Sequence, residues 1–184
     1  MNRYLFRVAV SCFVLALVVS AARADTVFQA TLLGANEVPP VSSPGTGFIT
    51  VDLHDDLVTL DVMETFSGLT AAATAAHIHC CGPVGMNEPV VLPFSAEQGF
   101  PFGASSGTFT HTFNLNTDLS GITPATFVAG LQSGQAYANI HNNPNPGGEI
   151  RGQLAAVPEP ATFFAVAGCL LGLGAFRRFR KQTD

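Results

Sequence analysis

Three histidines are the residues whose type and spacing best suit chemistry. His77 and His79 are one residue apart in Ala76-His77-Ile78-His79, and His141 ends the run Tyr137-Ala138-Asn139-Ile140-His141. Alternate side chains of an extended strand share a face, so His77 and His79 point the same way. Two imidazoles so placed converge on one ion at about 2.0–2.1 Å, and a third from a neighbouring strand completes a three-histidine set with an open position. That is the donor set of a Zn²⁺ or Cu²⁺ site. The competing arrangement is three polar strand residues packed against Tyr137 and Asn139, hydrogen-bonded and free of metal. His111 alternates with Phe109 and Phe113, which makes it core-facing or an edge residue. His54, beside Asp55-Asp56, reads as a solvated turn residue.

Other candidates carry less. Within the span 25–156 the cysteines are Cys80 and Cys81, for Cys12 and Cys169 lie in the two ends. Adjacent cysteines seldom pair with each other, so no disulfide scaffold is expected. Free or intermolecular thiols are favoured over a vicinal disulfide or a soft ligand beside the histidines. Gly103-Ala104-Ser105-Ser106-Gly107 has the pattern of a hydrolase nucleophile elbow, but Thr108 to Leu115 reads as strand where that elbow needs a helix. Gly147-Gly148 lacks the helix and Lys of a phosphate loop and reads as a turn. Asp52, Asp55, Asp56, Asp61 and Glu64 cluster in sequence as a solvated hairpin rather than a Ca²⁺ loop. No catalytic set and no organic-cofactor site emerges.

The elements that must bring the histidines together are strands. Apolar residues alternate at Phe28, Ala30 and Leu32, at Ile49, Val51 and Leu53, at Val58, Leu60 and Val62, at Phe109, Phe113 and Leu115, and at Ile150 and Leu154. Period two of this kind marks half-buried strands. His54-Asp55-Asp56 lies between two of them as a hairpin turn, with Asp52 and Asp61 facing outward. The Pro39 to Gly47 stretch and the Pro144 to Gly148 stretch mark loops. Ala71 to Ala76 is expected to be a loop leading into the His77 strand. A single short helix is expected over Thr126 to Gln132, with Pro124 as its start signal and Gly134 as its stop. Strands joined by turns in 132 residues fit one antiparallel all-β domain, a Greek-key-like sandwich.

Charge narrows the partners. Seven of the eight cations of the 184-residue chain lie in its two ends, and Arg151 is the one in the middle, so 25–156 carries eleven carboxylates against one cation, a net charge of −10. Phosphate backbones repel such a surface, which excludes nucleic acid as a partner. The ends read as addresses. Arg3 and Arg7 precede the apolar run Val8 to Val19, and Ala22-Arg23-Ala24 supplies the small residues a signal peptidase reads, so residues 1–24 are expected to be removed between Ala24 and Asp25. Residues 157–184 run from Pro158-Glu159-Pro160 through the apolar segment 161–176 to Arg177-Arg178-Phe179-Arg180-Lys181. As a helix the apolar segment is about 24 Å long against a ~30 Å hydrocarbon core, a marginal span whose basic end belongs on the cytoplasmic side.

This tail resembles the PEP-CTERM sorting signal of Gram-negative bacteria, with Gly168, Gly172 and Gly174 in its short segment. The resemblance implies recognition by an exosortase, removal of the segment near Pro158-Glu159-Pro160, and release or attachment at the cell surface or in the extracellular polysaccharide matrix. The middle resembles the CHRD domain, named for chordin. The residues that carry this are Ala35-Asn36-Glu37-Val38-Pro39-Pro40, Ala76-His77-Ile78-His79, Pro89-Val90-Val91-Leu92, Tyr137-Ala138-Asn139-Ile140-His141 and Asn145-Pro146-Gly147-Gly148-Glu149-Ile150-Arg151-Gly152-Gln153-Leu154. That family implies a β-sandwich and supplies no reaction. The chain departs from it at Cys80-Cys81, which displaces the expected Gly-Pro turn to Gly82-Pro83.

The His-x-His strand, the late histidine and the Gly-Gly strand are also similar to copper-zinc superoxide dismutase, in which case His77, His79 and His141 map onto copper ligands. A bridging histidine and a zinc-loop cluster are missing, and Arg151 alone is left to draw in an anion. The expectation is an exported binding or structural module of the CHRD type, with a His77, His79, His141 site for Cu or Zn, and not an enzyme. The alternative is a copper- or zinc-dependent redox enzyme related to that dismutase.

Overall fold

A computed structural model describes residues 25–158. The expected signal peptide (1–24), Glu159 and Pro160 of the sorting motif, and the apolar segment 161–176 lie outside the described residues. Among the described residues no helix is long and apolar enough to cross a membrane.

The chain runs through β1 (Thr26–Leu33), a short 3-10 turn (Gly34–Asn36), β2 (Thr46–Leu53), β3 (Thr59–Ser67), β4 (Ala73–His79), β5 (Val90–Pro93), β6 (Gly107–Asn114), α1 (Pro124–Gln132), β7 (Tyr137–Asn142), β8 (Asn145–Gln153) and β9 (Ala155–Ala156). The strands form one antiparallel sheet in the order β5-β4-β7-β8-β1-β2-β3-β6, with β9 paired to β1, and the sheet curls into a half-barrel. The antiparallel all-β class expected from the period-two pattern is the one observed. Neighbouring strands share hydrogen bonds along the whole order, so the curl of a single sheet encloses the core.

The alternation read from the sequence is the alternation of burial. Phe28, Leu32, Ile49, Val51, Leu60, Val62, Phe109 and Phe113 face inward from β1, β2, β3 and β6, and Ala76, Ile78, Ala138, Ile140 and Ile150 face inward from β4, β7 and β8. Phe94, Phe100 and Phe109 pack their rings at 4.8–5.9 Å, a tilted aromatic cluster of the kind that adds to simple burial. Glu64 breaks the pattern. It lies in an interior row between Ile49 and Phe109, fully buried, and neither carboxyl oxygen has a hydrogen-bond partner.

Helix α1 forms where the punctuation predicts it. Thr123 caps it, its hydroxyl accepting from the Thr126 amide, Pro124 opens the first turn, and Gly134 adopts the positive φ that ends it. Phe127, Val128 and Leu131 bury its inner face. The β2–β3 hairpin forms as expected, with Asp52 opposite Asp61 on the face away from the buried Val51, Leu53, Leu60 and Val62, and the Gly103–Gly107 segment leads straight into β6 with no elbow.

Three details differ from the sequence reading. Strand β4 starts at Ala73, so most of the alanine run is strand rather than loop. The β7–β8 turn is confined to Asn143-Pro144, and Gly147-Gly148 belongs to β8. The Asn142 side chain accepts from the Asn145 amide and closes the hairpin early. Cys80 and Cys81 are joined to each other by a disulfide across a cis peptide, whereas adjacency alone favours free thiols. The bridge closes no long loop, so it is no scaffold.

Candidate metal centre

Strand β4 sends Ala76 and Ile78 into the core, which leaves His77 and His79 on the opposite, outward face of the sheet. Register then sets their neighbours. His77 stands opposite Asn139 of β7, and Asn139 opposite Arg151 of β8; His79 stands opposite Tyr137, and Ala75 opposite His141. Asn139 and His141 share a face, so the late histidine joins the early pair, as the strand spacing predicts. The His77 ring lies 5.4 Å from His79 and 4.9 Å from His141, centroid to centroid. One nitrogen from each of the three lies within 4.8 Å of the others. Three points so spaced share a centre no more than about 2.8 Å from each, so a shift of ~0.7 Å brings all three to zinc–nitrogen bond length. His111 and His54 stay away: His111 packs edge-on against Phe113, and His54 bonds Asp61 at 2.9 Å near the hairpin turn.

The outward face here is covered by loops. His79 is 7% and His141 9% exposed. Burial holds both imidazoles below the ordinary histidine pKa, and it pushes His77, which also faces His141 and His79, down to about 4. The rings are therefore neutral at pH 7, with one proton each. His79 Nδ1 lies 2.6 Å from the Glu88 carbonyl oxygen and His141 Nδ1 lies 3.0 Å from that of Pro146. A carbonyl only accepts, so both protons sit on Nδ1 and both Nε2 atoms present bare lone pairs. Those lone pairs face the same atom. Asn139 Oδ1 is 3.0 Å from Nε2 of His79 and 3.0 Å from Nε2 of His141. Nδ1 of His77 is buried with no partner.

Residues around the histidines fix this arrangement, and most of them carry no local signal in the sequence. Tyr137 stacks on His79 at 4.6 Å, and Arg151 lays its guanidinium 3.4 Å above the Tyr137 ring. Arg151 also donates to Asn87 Oδ1 at 3.0 Å and to the Met86 carbonyl at 2.7 Å, which pins the loop whose Glu88 carbonyl orients His79. Asn36 donates to the Arg151 carbonyl, and Asn87 to that of Val38. Glu37, buried in the same loop, brings its carboxyl beside the Asn139 side chain over Gly148; burial pushes its pKa up to about 7 against the opposing pull of Arg151. Four segments far apart in sequence thus meet at one point. Asn139 is detectable in the sequence, since it alternates with His141. Glu37 and Arg151 become visible only through register and loop packing.

A surface groove of about 630 Å³ lies elsewhere, on the outward face of β1, β2, β3 and β6, lined by residues such as Thr31, Phe48, Thr65 and Thr108. None of its lining residues has an ionisable side chain.

A family model described as the CHRD domain matches residues 28–154, and one described as the PEP-CTERM protein-sorting motif matches residues 156–181. No curated protein and no solved structure matches the chain.

Proposed function

The chain belongs to the CHRD domain family and carries a PEP-CTERM sorting motif, and on that premise we propose a surface binding or structural module whose His77, His79 and His141 hold one Zn²⁺ or Cu²⁺ ion. The sorting motif implies export, a transient membrane anchor, processing by an exosortase, and surface or extracellular localisation. Signal-peptidase cleavage between Ala24 and Asp25, and association with extracellular polysaccharide or other surface components, belong to the same proposal.

One observation carries the metal reading. Two imidazoles with their protons committed to backbone carbonyls turn bare lone pairs toward one buried oxygen, with no proton between them. Electron pairs that converge in a buried place repel one another, and a cation is the partner that satisfies all of them. Metal-binding histidines characteristically donate their other ring proton to a carbonyl in this way.

A binding or structural role is favoured over the redox-enzyme alternative by Arg151. It is the only Lys or Arg among residues 25–158, and it is buried with its guanidinium spent on Asn87, Met86 and Tyr137. No side-chain cation is left there to attract an anionic substrate.

The test is elemental analysis of the exported protein, purified without a histidine tag and reconstituted separately with Zn²⁺ and Cu²⁺. About one ion per chain is expected, lost when all three histidines become alanine. Wild-type protein that retains neither metal would remove the metal centre from the proposal.

A further inference from the structure

We infer that the side-chain oxygen of Asn139 is a fourth donor to this centre, closing it as a site of three nitrogens and one oxygen for a divalent ion, and that Glu37 is the residue that positions that donor. The inference deepens the metal-centre reading and rests on it.

Distance is the first argument. Asn139 Oδ1 is 3.0 Å from Nε2 of both His79 and His141. Neighbouring donors of a tetrahedral ion with bonds of 2.0–2.1 Å are separated by about 3.3 Å. The oxygen therefore already stands at a ligand's spacing from two of the three imidazoles. Register supplies the third, because Asn139 is the direct partner of His77 across the β4–β7 pairing.

Burial is the second argument. Asn139 is 3% exposed, so water does not relieve an amide oxygen that faces two lone pairs. The far end of the amide explains why it faces that way. Asn139 Nδ2 and Glu37 Oε1 lie over the same residue, Gly148, and the ionised carboxyl only accepts, so Glu37 draws the nitrogen to its side and leaves the oxygen toward the rings. Gly148 makes the meeting possible: a Cβ there would strike both Glu37 Oε1 and Asn139 Nδ2.

The consequence is chemical. A neutral oxygen added to three imidazoles suits Zn²⁺ or Cu²⁺ better than Cu⁺. Four protein donors also leave no open position, which is the form of a structural metal site rather than a catalytic one. Such an ion would tie the Glu37 loop, the Glu88 loop and the β7–β8 hairpin to the sheet.

Competition titration of Zn²⁺, together with the visible spectrum of the Co²⁺ form, tests this on the exported protein. Asn139→Leu and Glu37→Gln should each weaken Zn²⁺ by about 10–100-fold and change the Co²⁺ spectrum. Glu37→Gln replaces an acceptor-only group by one that offers an NH2 as readily as an oxygen, so the Asn139 amide is no longer held with its oxygen toward the rings. Asn139→Asp should bind at least as tightly as wild type, and it should rescue Glu37→Gln, because a carboxylate has two equivalent oxygens and needs no orientation. Wild-type binding with an unaltered spectrum and affinity in Asn139→Leu would overturn the fourth donor. Failure of Asn139→Asp to rescue would overturn the positioning role. If wild-type protein binds no metal, the metal-centre reading falls before this one is reached.

Discussion

Glu64 and Phe109 face each other across the β3–β6 pairing, in the interior of the half-barrel, with the Glu64 carboxyl fully buried and unpartnered. Burial alone pushes its pKa from an ordinary 4.5 up to about 8. Between those two values the unfolded chain releases the proton while the folded chain keeps it, so stability falls as pH rises through the window. Glu64→Leu should remove that slope. The gain in Tm over wild type should be larger at pH 8 than at pH 4.5; a difference independent of pH would contradict this account of the carboxyl.

Glu149 shows the opposite treatment of a buried carboxylate. It accepts from the Ser43 hydroxyl at 2.5 Å, from the Thr70 amide at 2.8 Å and from the Asn142 side chain, and so ties two loops to the β7–β8 hairpin. Hydrogen bonds to a charged group contribute about 1.5–3 kcal/mol each, and their loss leaves buried donors unsatisfied. Glu149→Ala should lower stability by about 3 kcal/mol or more in urea unfolding at pH 7. A loss below ~1 kcal/mol would show that the network contributes little.

Gly130 lies where α1 crosses the Cys80-Cys81 pair, and a Cβ there would overlap both sulfurs. Alanine is the better helix former by about 1 kcal/mol, yet overpacking costs about 1–3 kcal/mol, so packing should win. Gly130→Ala is expected to lower the urea midpoint with an unchanged m-value. A raised midpoint would place the helix further from the cysteines than described.

Much of this is legible in the sequence, and the reason is periodicity. A side-chain period of two declares which residues of β1, β2, β3 and β6 face inward, and Thr123, Pro124 and Gly134 punctuate α1 by their own backbone preferences. His77 and His79 must share a face for the same reason. The remainder depends on pairing. That Asn139 lies opposite His77, and Arg151 opposite Asn139, follows from a register between strands, the first pair about sixty residues apart, which no local pattern encodes. Glu37 reaches the site from a loop, and loops carry no periodicity. The Gly147-Gly148 pair misleads because glycines usually mark turns, whereas here Gly148 makes room inside a strand for Glu37 and Asn139.

Arg151→Lys probes how the loop over the site is held. Lysine keeps the charge but cannot span Asn87 and Met86 together or stack flat on Tyr137. The amide of Glu88, which donates to the Tyr137 hydroxyl at 3.1 Å, should then exchange faster with deuterium than in wild type. Unchanged protection would mean that the loop is held without the guanidinium.

The central claim is that His77, His79 and His141 bind one ion together. X-ray absorption at the Zn or Cu edge of the reconstituted, untagged protein tests it most directly. The account predicts a first shell of light donors near about 2.0–2.1 Å with the outer-shell scattering of three imidazoles. A shell with fewer than two imidazoles, or a spectrum unchanged when all three histidines are replaced by alanine, would contradict it.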